Sequence, residues 1–243
     1  MKLLTQQFLI AGILGLHLLA QTAPPPPKAP APKPVSPELA ALLKFKPKQK
    51  KEPTRSGSRV IAATRSGGAG PVKLVALAPV SGGITVSSQP RLWWWQSAAT
   101  AGGELEFALT GMSGRPKSLL AIKLGPMKAG YNAIDLSNPA INPAKIALES
   151  GGEYQWSLGC FSQQRKDSVF VRMDRVDDPA LALRLSADPA SAATLNSLSE
   201  SGNWYELFDT VAFSSGSAPE NADLSAVRAR LLSQIGLEQD LKP

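Results

Sequence analysis

Once its first 23 residues are set aside, this chain contains no histidine; the single one, His17, lies in the leader. Without an imidazole, Ser-His-Asp and Cys-His nucleophile pairs have no base. Cysteine is nearly as scarce. Cys160 stands alone, which excludes an internal disulfide and ordinary zinc sites built from several Cys and His. Long apolar runs are also missing. The longest, Phe8 to Ala20, has 13 residues, short of the roughly 20 that span a bilayer. The glycine-rich stretches lack the strand-to-helix setting and the Lys-Ser/Thr pair of a phosphate loop.

The apolar run follows Met1-Lys2 and ends in small residues, which is the pattern of a cleavable secretory signal over 1–23. Cleavage is expected after Ala20 or Ala23. The expected destination is the periplasm, the cell surface or the medium, and the secreted chain carries no integral membrane span. In such an oxidising place Cys160, set in Trp156-Ser157-Leu158-Gly159-Cys160-Phe161, reads as a partly buried structural thiol.

The net charge of +7 is unevenly spread. Residues 24–70 hold ten Lys/Arg against Glu38 and Glu52, whereas 71–243 hold 15 against 17 Asp/Glu. The basicity belongs to the tail, so a basic folded face for nucleic acid is not indicated. Residues 24–37 are more than half proline and read as an extended spacer. Residues 38–51 combine Leu39, Leu42 and Leu43 with a run of lysines. They are a candidate peripheral contact for anionic lipid heads or an acidic polymer. A solvated tether is favoured, because Pro47 and Pro53 limit any helix there to about two turns, marginal in water. The whole of 24–70 is therefore expected to be a Pro-rich, basic, disordered tail.

From residue 71 the texture becomes short alternating runs between Gly, Pro and Asn turns. Strands are expected over 72–78, 84–87, 91–96, 104–110, 118–124, 131–136, 154–161 and 168–176. After Val176 the period becomes helical. Helices are expected at 179–185, 189–199, from Trp204, and at 223–234. Asn203-Trp204-Tyr205-Glu206 has the form of a capping box, and Gly202 and Gly236 the form of helix ends. The fold class is α+β: an Ig-like antiparallel β-sandwich over 71–177, followed by short packed helices over 178–243.

Several of these residues together resemble a known family. They are Leu74-Val75-Ala76-Leu77-Ala78-Pro79, Gly83-Ile84-Thr85-Val86, the Pro90 turn into an aromatic strand, and Tyr154-Gln155-Trp156-Ser157-Leu158-Gly159-Cys160. Gly202-Asn203-Trp204-Tyr205-Glu206 and Leu231-Leu232-Ser233-Gln234-Ile235-Gly236-Leu237 follow in order. Over about residues 55–241 the chain resembles the cyanobacterial exported proteins grouped as domain of unknown function 928. The resemblance implies location and architecture, and no activity. It also implies that a cysteine just before the first strand often pairs with the one matching Cys160. Here that stretch is Gly67-Gly68-Ala69-Gly70-Pro71, and the pairing is absent.

Trp93-Trp94-Trp95 is the most unusual local feature. On a strand Trp93 and Trp95 share a face about 7 Å apart, a spacing suited to stacking on sugar rings. The alternative is that the second sheet covers one face of the triplet and the C-terminal helices the other. Asp174, Asp177 and Asp178 invite a calcium reading, but Asp178-Pro179 reads more simply as a helix N-cap. Glu104 with Glu106, and Glu149 with Glu153, show no spacing that singles out an acid and a nucleophile. No cofactor is implied. The sequence therefore points first to an exported, non-enzymatic module that binds an envelope protein or glycan. A histidine-free glycan hydrolase using carboxylates and a structural envelope component are the alternatives.

Overall fold

Alternation of large apolar and small or polar residues builds the strands. In Leu105–Gly111 the side chains of Leu105, Phe107 and Leu109 are buried and those between them are not. The same two-residue period buries Tyr154, Trp156, Leu158 and Cys160 in the neighbouring strand, and Val169, Val171 and Met173 in the next. Registers Phe107–Leu158–Val169 and Leu109–Trp156–Val171 line these side chains up across three strands. The result is one apolar face, within which the Phe107 and Trp156 rings stack at 6.4 Å.

The computed structural model of the chain describes residues 45, 60–64, 71–102, 104–162, 165–189, 191–213, 222–237 and 240–241. The leader, the proline-rich spacer and, Phe45 apart, the basic segment 38–51 lie outside the described residues. Among the described residues nine strands run in the order β1 (Val60–Thr64), β2 (Pro71–Ala76), β3 (Gly83–Thr85), β4 (Arg91–Gln96), β5 (Leu105–Gly111), β6 (Lys117–Lys123), β7 (Gly130–Asp135), β8 (Glu153–Ser162) and β9 (Arg165–Arg175). After them the described residues form the helices α1 (Pro179–Ala187), α2 (Ala192–Ser201), α3 (Trp204–Phe213) and α4 (Ala222–Gln234). One sheet has the order β1-β2-β4-β7, the other β3-β9-β8-β5-β6. The class is α+β, sandwich-like with C-terminal helices. No helix among the described residues is long and apolar enough to cross a membrane.

Three details differ from the sequence reading. β1 lies inside the stretch expected to be tail, where it pairs antiparallel with β2 from Val60–Val75 to Thr64–Pro71. Its basic and glycine-rich flanks, Arg55, Arg59 and Arg65 to Gly70, hid a five-residue β-branched and alanine run. Phe45 also belongs to the core: it is 4% exposed, and its ring lies 5.1 Å from that of Trp204. Finally, the pairing is not purely antiparallel, because β3 runs parallel to β9.

The helices begin where local chemistry starts them. The Asp178 side chain accepts from Leu181 N at 2.9 Å, with Pro179 in the first turn, so this aspartate caps α1 as expected. Ser191 caps α2 through Thr194 N, and Gly202 closes it with φ 78°. The capping box expected at α3 does not form. Asn203 donates to Ser201 and Leu198, and its Oδ1 has no partner. Glu206 turns away toward the β3–β4 connection.

Candidate functional site

β4 shows two chemically different faces. Leu92, Trp94 and Gln96 point to one and are buried, with Trp94 Nε1–H donating to Gln96 at 3.0 Å. Arg91, Trp93 and Trp95 point to the other. Trp95 is 7% exposed, opposite Val75 and Tyr131. Trp93 is half-buried against Phe208 of α3, ring centroids 6.5 Å apart and edge-on. Arg228 of α4 lies over the Tyr131 ring at 4.4 Å. The helices thus pack on this face, and Trp93 and Trp95 do not form an open pair. Trp95 is closed off, and the indole N–H of Trp93 is committed to Asp209 at 3.0 Å. The reason is the amphipathic α3, whose apolar side needs a surface to bury and finds it on the tryptophans.

The covered face opens at its Arg91 end. Register places Asp135 of β7 directly opposite Arg91, and the guanidinium donates to Asp135 Oδ2 at 2.9 Å. Its other arm donates to Asp209 Oδ1 of α3 at 3.1 Å. One guanidinium thus holds a carboxylate from a strand and one from a helix. The group is 39% exposed, so each pair contributes no more than about 1 kcal/mol. The Asp135 hydrogen bond, foremost, keeps Arg91 firmly protonated. Burial works against ionisation of Asp135, but hydrogen bonds from Ser137 and Arg91 outweigh it and hold the carboxyl below its usual range.

Two neighbours on α3 fix the floor. The Tyr205 hydroxyl accepts from Trp156 Nε1 at 3.0 Å in the buried interior, and burial keeps this phenol neutral far into the alkaline range. Its ring comes so close to β3 that a Cβ on Gly83 would lie 2.6 Å from it; only glycine leaves that room. Glu206 is partly exposed as a residue, but its carboxyl is buried. Oε1 accepts from the Thr85 hydroxyl, from Val86 N at 3.2 Å and from Ser87 N at 3.0 Å. Oε2 is enclosed and has no partner. Burial pushes the Glu206 carboxyl above its ordinary value, against the pull of those hydrogen bonds.

Between these groups lies a cavity of about 220 Å³, lined by Pro90 and by polar residues of the β3–β4 connection, the ends of β4 and β7, and α3. Arg91, Asp135, Glu206 and Asp209 are its guanidinium- and carboxyl-bearing lining residues. A family model described as Domain of Unknown Function (DUF928) matches residues 54–242. The chain belongs to the DUF928 family. No curated protein matches it. The DUF928 match takes in every strand and helix described here, β1 included.

Other residues singled out in this DUF928 sequence lie elsewhere. Cys160 is buried on β8 opposite Leu105, 2% exposed, as its apolar surroundings predict. Glu104 closes a local turn by accepting from Ala101 N. Glu149 and Glu153 flank the Gly151-Gly152 turn ahead of β8. Among the described residues no group of three His, Cys, Asp or Glu is arranged to hold a metal ion. Arg91, Asp135 and Asp209 escaped the sequence reading because the two aspartates lie 44 and 118 residues from Arg91 along the chain. The one local signal was Arg91 sharing the exposed parity of Trp93.

Proposed function

We propose that this chain is an exported, non-enzymatic binding module, and that the cavity between β4, β7 and α3 is its ligand site. The observation that carries the reading is the double commitment of Arg91 to Asp135 and Asp209. A site whose charged groups are already locked to one another is pre-organised to recognise polar groups. It is poorly arranged to hand protons or form covalent bonds, because both aspartates spend their charge on the same guanidinium. Export rests on the leader, and the partner class, an envelope glycan, on the polar lining. A glycan array probed with the full chain and with Arg91→Ala tests the site. Glycan signals that disappear in the variant support it, and an identical pattern in both defeats it. Fractionation with N-terminal sequencing tests export: an intact leader on cytoplasmic protein would refute it.

One observation favours a glycan hydrolase as a second reading. Asp135 and Asp209 lie within 3.1 Å of one guanidinium, with Glu206 in the same cavity. Glu206 is pushed up and Asp135 held down, a split that carboxylate pairs in glycosidases share. Release of reducing ends from envelope glycans, abolished by Glu206→Gln, would establish this reading over the first.

A further inference from the structure

The cavity's unused hydrogen-bonding capacity is lopsided. Arg91 spends one arm on each aspartate, which removes the natural binder of a ligand carboxylate or phosphate. Asp135 is filled by Arg91 and by the backbone and hydroxyl of Ser137. Asp209 is not filled. Its Oδ1 takes Trp93 and Arg91, but Oδ2 meets Arg91 only at 3.5 Å. Glu206, on the same wall, has an enclosed Oε2 with no partner. Two carboxylates thus face one guanidinium, Glu206 lies behind them with its Oε2 enclosed, and the unfilled capacity that opens on the cavity is the accepting capacity of Asp209.

A metal ion does not fit this arrangement. Arg91 already stands between the two aspartates, where a cation would have to sit. An organic ammonium fits better: it brings three donors, no acceptor and one positive charge. The size is also limiting. About 220 Å³ is below the roughly 300–1,000 Å³ of drug-sized sites, which leaves room for a single small ring. Ser87, Gln89 and Ser137 complete the lining; Ser137 donates to Asp135 and Gln89 to Ile146 O, which leaves their oxygens, and the Ser87 hydroxyl proton, to meet ring hydroxyls.

We infer that the cavity binds one amino-sugar residue with a free, unacetylated amine, its ammonium set beside Asp209 on the wall shared with Glu206. This rests on the proposed ligand site and specifies its occupant. The approach of a cation also favours the charged form of Glu206, so binding above the usual carboxylate range releases protons.

The test is calorimetry of the full chain with glucosamine, N-acetylglucosamine, glucose and n-butylamine, each in two buffers of different ionisation enthalpy. Glucosamine is expected to bind at least about tenfold more tightly than the other three, a factor that one charge-assisted hydrogen bond supplies. Asp209→Asn should remove most of that preference. Gln89→Lys, which exchanges a lining amide bonded to Ile146 O for an ammonium and leaves the Arg91 pairs untouched, should do the same if the first variant fails to fold. Equal binding of glucose and glucosamine overturns the amine assignment but leaves a glycan-binding site standing. Equal binding of butylamine and glucosamine overturns the sugar. No binding of any probe, alongside array signals that depend on Arg91, overturns the inference while the binding module survives.

Discussion

The two faces of β4 carry tryptophans one residue apart and use them in different ways. On the inner face Trp94 is fully buried, and its N–H is satisfied within the strand by Gln96. On the outer face burial declines along the strand, from Trp95 through half-buried Trp93 to Arg91 at the cavity mouth. The inner face is core in the strict sense, closed by packing and by the hydrogen bonds of buried Gln96. The outer face is a gradient from core to site, and α3 lies along it with Phe208 on Trp93 and Asp209 on Arg91. The same residue type is structural support on one face and, through Trp93, part of the frame of a polar site on the other.

The largest effect expected from breaking this contrast is at the inner face. Trp94→Ala should cost about 3–5 kcal/mol, the range for emptying a buried aromatic site. Trp93→Phe keeps an aromatic ring beside Phe208 but loses one ring of the half-buried indole together with its N–H bond to Asp209, at a smaller cost of about 1–2 kcal/mol. Urea unfolding of both variants checks the pair. Equal losses would mean that the outer face is as much core as the inner one.

The next effect lies under the cavity floor. Tyr205→Phe leaves the buried Trp156 N–H without its acceptor. An orphaned buried donor costs about 1–3 kcal/mol. Trp156→Phe costs stability through the space it empties, but it should cost less in the Tyr205→Phe background than in the parent, because the N–H it removes is already orphaned there. A double-mutant cycle with no coupling would show that the hydroxyl serves some other purpose.

The strands and helices were largely legible because each is a local pattern. Leu105, Phe107 and Leu109 announce a half-buried strand, and Asp178-Pro179 announces a helix start, without reference to anything distant. β1 was missed because its neighbours are basic and glycine-rich, and pairing with β2 overrides that composition. The cavity was illegible for a different reason. Arg91, Asp135 and Asp209 are ordinary surface residues until a strand register and a helix docking bring them together. Glu206 misled outright: three residues after Asn203 it has the spacing of a capping box, yet backbone N–H groups at Val86 and Ser87 offer its carboxylate a better-furnished home. Local chemistry proposes such a partner, and tertiary packing decides.

The smallest expected effect also separates the cavity's two kinds of carboxyl, through pH. The folded protein holds Asp135 below its ordinary range. Its stabilisation is therefore present above that range and is lost as pH falls through the folded value. Glu206 is displaced the other way. Its contribution is full below the ordinary glutamate value and is lost as pH rises through the raised one. The two carboxyls tilt the stability profile in opposite directions from opposite sides. Asp135→Asn should remove the acid-side loss at a cost of no more than about 1 kcal/mol near neutrality, since the pair with Arg91 is partly solvent-screened. Glu206→Gln should flatten the fall on the less acidic side, whatever it does to absolute stability, because the amide cannot ionise. Thermal midpoints of the two variants and the parent, followed from pH 3 to 8, give both slopes. If Glu206→Gln keeps the parent's slope, the buried carboxyl is not what titrates there. Glu206 would then hold one protonation state across this whole range, and the slope would belong to another group.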